Sequence, residues 1–215
     1  MISHEYEKVL WCVDAQKDFM LPGGKLYVPG AEKLLPNIGR LVDAAREGHA
    51  FLVSHGCFHA PDDPEFGSFP PHCVKGTPGA EFVAEAMTGD HHRIPNDAHS
   101  RLPEKLREKN HIILEKETLD IFESRHADEL VKGFSPRAEF ILFGVVTEYC
   151  VGLAARGLLK RGRKVAVVTD AIETLNREAG EKTLSELKTL GAELITTNEA
   201  LVRVGAGKRE RASSG

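Results

Sequence analysis

Short apolar runs alternate along the chain with stretches that carry apolar residues at helical spacing. The runs 9–14, 50–54, 111–114, 139–143, 164–169 and 193–196 are rich in Val, Ile, Leu and Phe. Several lack any polar alternation, as strands covered on both faces do. Between them, residues 31–48 place Leu34, Leu35, Ile38, Leu41, Val42 and Ala45 on one helical face, with Gly48 as a stop. Helices are also predicted over 126–132, 147–161 and 178–190, each followed by glycine. Repeated strand–helix–strand units predict a doubly wound α/β domain with a mostly parallel six-stranded sheet and helices on both faces.

Two segments break the alternation. Residues 55–105 are rich in Pro, His and Gly, and a long irregular insert in a compact α/β domain is usually functional. Residues 205–215 read as a polar, disordered tail beyond a single domain spanning 1–204. There is no internal repeat and no linker.

Composition narrows the class. The 215 residues carry a net charge of -4, with 41% hydrophobic and 28% charged residues, which suits a soluble globular chain. A pI near 6.2 gives no general attraction to nucleic acid or anionic membrane. No apolar run approaches the ~20 residues of a membrane span, and the acidic start does not read as a signal peptide. The four cysteines are therefore expected to be thiols of a cytoplasmic protein. No G-x-G-x-x-G or P-loop is present, so no nucleotide cofactor is expected.

Ligands of such sheets bind beyond the carboxyl ends of the strands. There the sequence offers Asp14 after the first strand, Lys116 after the third and Cys150 after the fourth. A thiol at a helix start near an ammonium is a candidate nucleophile, and a carboxylate can take its proton. The same residues also read as a core thiol, a helix cap and a surface charge.

The motifs resemble the isochorismatase-like cysteine hydrolases, and the nicotinamidase branch in particular. Asp14-x-Gln16-x-Asp18-Phe19, then Pro22-Gly23-Gly24 through Gly30, resemble the family's opening. His72-Cys73-Val74-Lys75-Gly76-Thr77-Pro78-Gly79-Ala80-Glu81-Phe82 resembles the HCVxGTPGAEF stretch, and Gly144 to Val151 the nucleophile segment GxxTDxCV. The likeness spans about residues 8–200 and implies a Rossmann-like three-layer fold. It implies a catalytic triad of Asp14, Lys116 and Cys150. It also implies a cis peptide before Val146, and an oxyanion hole from the N–H groups of Val146 and Cys150.

By the same resemblance, Cys57, His59, Glu65 and His72 are the expected ligands of one divalent metal. Cys57 stands where the family has Asp. A thiolate is softer than a carboxylate, so zinc is favoured, with iron or manganese as alternatives. His55 is a substitute ligand, and loss of the metal with Cys57 merely packing is the bland reading. Phe19 and Phe69 match aromatic positions beside the substrate ring, and Gln16 is expected near the substrate or under Asp14. Cys12 and Cys73 read as packing residues, and His91, His92, His99, His111 and His126 as surface residues.

The implied function is hydrolysis of nicotinamide, or a close heteroaromatic amide, to the acid and ammonia through a cysteine thioester, as in NAD salvage. The partner is the small amide, and a homo-oligomer is expected. The alternatives are a family hydrolase of another small amide, ureido or N-carbamoyl compound, and a non-catalytic ligand-binding relative.

Overall fold

The computed structural model describes residues 7–104 and 109–208. Seven strands form one sheet in the order β3-β4-β2-β1-β5-β6-β7, and every neighbouring pair is parallel. The strands are β1 Lys8–Val13, β2 Phe51–Cys57, β3 His92–Ile94, β4 His111–Lys116, β5 Glu139–Gly144, β6 Lys164–Ile172 and β7 Glu193–Ile195. The sheet therefore has one strand more than the six expected. The additional β3 is three residues long and lies inside the 55–105 insert, too short to show periodicity.

β1 sits at the centre; β2, β4 and the edge strand β3 lie on one side of it, and β5, β6 and β7 follow outward on the other. A crevice opens where the strand order switches sides, outside the carboxyl ends. Leu10, Cys12, Leu52, Ile141 and Phe143 pack on one face beneath α2 (Leu35–Arg46) and α6 (Thr197–Val204). Val9, Trp11, Phe51, Val53 and Phe140 pack on the other beneath α3 (Ala127–Gly133), α4 (Gly152–Lys160) and α5 (Arg177–Thr189). α1 is a single turn, Lys17–Met20, directly after β1.

Several element bounds differ from expectation for identifiable reasons. The helix expected from residue 31 begins as a 3-10 turn, Ala31–Leu34, and α2 starts at Leu35 with Pro36 in its first turn. The helix expected from residue 147 opens with a π turn, Thr147–Val151, where Tyr149 has φ -111° and ψ -105°. α6 was not anticipated, although Thr196 and Glu199 form a capping box at its start. The expected tail is ordered at its beginning: Gly205 caps α6 at φ +84° and Ala206–Lys208 forms one more turn. Residues 209–215 lie outside the described residues. Among the described residues, no helix is long and apolar enough to cross a membrane.

Candidate active site

The three residues of the expected triad come from β1, β4 and the turn after β5, at the carboxyl edge of the sheet. Asp14 follows β1 with φ +45°, and its N–H donates to the His55 carbonyl at 3.0 Å, which turns the carboxylate off the strand line. Lys116 is the last residue of β4. Cys150 lies in the π turn after β5, beyond the cis peptide between Val145 and Val146. Lys116 is fully buried, and its Nζ lies 3.1 Å from Asp14 Oδ2 and 3.7 Å from Cys150 Sγ. Burial works to discharge the ammonium, but the Asp14 carboxylate and two nearby thiols outweigh it and hold its pKa well above the usual lysine range. Burial, then Asp14, push the Cys150 thiol up, while Lys116 pulls it down. Burial and the neighbouring carboxylate thus both favour the thiol over the thiolate.

Lys116 also donates to Cys57 Sγ at 2.8 Å. Strand register brings this about, because Cys57 and Lys116 pair directly across β2 and β4. Burial pushes the Cys57 thiol up to about 12, against the pull of Lys116. Donor atoms of Cys57, His59 and His72 lie within 4.8 Å of one another, all buried. The donor set fits a thiophilic divalent ion. His72 Nδ1 is 2.8 Å from the Pro70 carbonyl, so it carries the proton and leaves Nε2 as a lone pair. His59 Nδ1 lies at ion-pair distance, 3.0 Å, from Asp63 Oδ2, and among the described residues the buried Nε2 has no hydrogen-bond partner. A carboxylate behind a histidine is the usual support of a metal ligand. Asp63 was missed in the sequence, where only its position two residues before Glu65 marks it. Glu65 Oε1 stands 3.9 Å from His72 Nε2, beside the cluster.

A cleft partly open to solvent joins the two groups. Asp14, Cys150, Cys57 and His72 line it, with Phe19, Phe69 and Val146. Phe19 packs 5.2 Å from the His72 ring, and Phe69 meets both His72 and Tyr149 edge-on. Tyr149, at 39% exposure, is a wall residue that sequence reasoning did not pick out. Among the described residues the Val146 N–H has no backbone acceptor.

Three expectations are corrected. Gln16 does not reach the cleft: its Nε2 donates to the Cys57 and Ala80 carbonyls at 2.6 and 2.7 Å, and its Oε1 accepts from the Cys57 N–H. Its amide is fully spent on fixing the Cys57 backbone. His55 is no substitute ligand, because its ring faces Trp11 and Asp14. His111 and His126 are buried rather than superficial. His111 lies between Ser54 and Thr88, and His126 against Ser100.

Asp18 links the first loop to the insert. Its carboxylate accepts from the Lys25 N–H at 3.0 Å and the Cys73 N–H at 2.7 Å, next to His72. Gly79 faces the same carboxylate, and a Cβ there would come within 2.2 Å of it. The Asp18 and Gly79 of the two motifs are thus one contact.

The isochorismatase domain pattern matches residues 8–100 and 88–199. The chain belongs to the isochorismatase family. Among curated isochorismatase-family relatives, the nicotinamidase/pyrazinamidase of Mycobacterium tuberculosis is 26% identical, covering 89% of this chain and 100% of the relative. The nicotinamidase of Saccharomyces cerevisiae is 28% identical, covering 84% and 95%. The pyrazinamidase of Pyrococcus horikoshii, solved in complex with zinc, superposes with a TM-score of 0.71 at 30% identity, covering 88% and 99%. This isochorismatase-family chain fits the nicotinamidase branch and is a hydrolase of amide C–N bonds.

Proposed function

We propose that the chain hydrolyses nicotinamide, or a closely similar heteroaromatic amide, to the acid and ammonia through a thioester on Cys150. The observation that carries this is the convergence of Asp14 and Cys150 on the buried Lys116 ammonium, in a cleft shared with Cys57, His59 and His72.

Asp14 takes the thiol proton, and Lys116 holds the carboxylate and the developing thiolate together. The sulfur attacks the amide carbonyl carbon, and its oxygen gains the negative charge. The N–H groups of Val146 and Cys150 stabilise that oxyanion. Asp14 then returns its proton to the amine, ammonia leaves and a thioester remains. Asp14 next takes a proton from water, the hydroxide carbon bond forms, and the thiolate leaves and recovers its proton. Phe19 and Phe69 hold the ring against the cleft wall. Cys57, His59 and His72, with Glu65 beside them, would hold a divalent ion, zinc favoured by the sulfur donor, which when bound supplies a Lewis-acid contact for the ring nitrogen.

Ammonia release from nicotinamide by the purified protein tests the reading, with Cys150→Ala as control. Release that vanishes in the variant is the expected result. Undiminished release by Cys150→Ala would remove the thioester. A wild type inert on nicotinamide yet active on another small amide would remove the substrate assignment alone.

A further inference from the structure

Asp14 Oδ2 has Lys116 as its partner, but the opposite oxygen faces something the triad does not use. His55 Nε2 lies 3.8 Å from Asp14 Oδ1, and both side chains are buried. The other ring nitrogen, Nδ1, is 2.8 Å from the indole Nε1 of Trp11. An indole nitrogen only donates, so His55 Nδ1 must be the acceptor and carry no proton. The proton of the neutral ring is thereby forced onto Nε2, on the side of Asp14. Among the described residues, neither His55 Nε2 nor either oxygen of Asp14 makes a hydrogen bond, and only Oδ2 has an ammonium at ion-pair distance. A buried polar pair left open in this way calls for a reason.

The donor itself is fixed in direction. Trp11 lies on β1 three residues before Asp14, wedged among Phe122, Phe140 and the His55 ring. His55 pairs with Val13 across β1 and β2, which sets its ring beneath the carboxylate. The charged groups facing the ring are Asp14, which favours its protonation, and Lys116, which together with burial opposes it.

We propose that His55 is a positioning residue for the base: the Trp11 indole sets its tautomer, and its Nε2–H steers the free oxygen of Asp14. This rests on Asp14 acting as the base. The 3.8 Å gap is longer than a hydrogen bond in the resting site. Catalytic hydrogen bonds are often long before substrate binds and tighten in the complex. With Lys116 on one oxygen and His55 on the other, the carboxylate cannot rotate away from Cys150 while it carries and returns the proton.

The test combines a spectroscopic readout with a kinetic one. Trp11 is the sole tryptophan, so one indole N–H signal reports the contact. In ¹⁵N spectra of the full chain, His55 should show a protonated Nε2 and an unprotonated Nδ1, and Trp11→Phe should lose that bias. His55→Leu should lower kcat about 10-fold with KM within about twofold. It should also slow iodoacetamide alkylation of Cys150, which needs no substrate. His55→Gln, whose amide N–H can point the same way, should recover part of both rates. Protonated Nδ1 in the wild type would overturn the proposal. So would unchanged kcat and alkylation in folded His55→Leu or, if that variant does not fold, in Trp11→Phe. A wild type inert on nicotinamide leaves the spectra and the alkylation rates as the deciding measurements.

Discussion

Replacing Lys116 by Met removes the ammonium while keeping a chain of similar length in a fully buried position. The charge sits 3.7 Å from Cys150 Sγ. At an effective dielectric of about 20, a thiolate at that distance gains about 4 kcal/mol from the cation. At 1.36 kcal/mol per pKa unit, this is roughly three units on the thiol. Burial and Asp14 already push that thiol up, and Lys116 opposes them. The thiolate fraction of Lys116→Met at pH 8 should fall by about 10²- to 10³-fold, allowing for relaxation of the cavity. Alkylation by iodoacetamide, read by peptide mass at Cys150, should slow in proportion. The variant also leaves the Asp14 carboxylate without its counter-ion, at a cost of about 3–5 kcal/mol. A melting curve must therefore accompany the rates. A folded Lys116→Met alkylated at Cys150 within about threefold of the wild-type rate would refute the electrostatic reading.

Burial depresses the His111 pKa to about 3, whereas the unfolded chain binds a proton there near pH 6.5. Between those values the unfolded state holds the extra proton, so stability falls as pH drops below 6.5. From pH 7 to 5 this histidine should cost about 2 kcal/mol in urea unfolding, a loss absent from His111→Gln. Gly79→Ala drives a methyl to 2.2 Å from the Asp18 carboxylate. It should lower stability by about 2–3 kcal/mol, a drop in melting temperature of about 5–10 °C by calorimetry. Cobalt(II) added to the wild type should give thiolate-to-metal charge-transfer absorption, absent in Cys57→Asp. Competition dialysis should show zinc preferred over manganese more strongly in the wild type than in that variant.

The strands were legible because buried parallel strands carry continuous apolar sequence, and their carboxyl ends pointed to Asp14, Lys116 and Cys150. The contacts among those side chains were less legible. Cys57 beside Lys116 follows from the β2–β4 register, which no local pattern encodes. Gln16 was misassigned because a polar residue after a strand reads alike whether it faces a cleft or clamps a neighbouring backbone. His111 looked superficial because its partners, Ser54 and Thr88, lie 57 and 23 residues away. β3 carries too few residues for any period. The capping box of α6 was present in the sequence, hidden by the expectation that the strand ran through Thr196.

The two outermost strands, β3 and β7, are three residues each, whereas the five between them run from six to nine. A sheet edge is a template for a strand from another chain, and its reach grows with its length. This sheet offers only two short ledges, while the apolar runs able to stack into fibrils are held between neighbours on both sides. Extension of the sheet by another chain therefore has little edge to start from. The protection is positional, not chemical. A substitution that frees β7 would uncover β6, the longest strand, so its damage should register as lost solubility before lost activity.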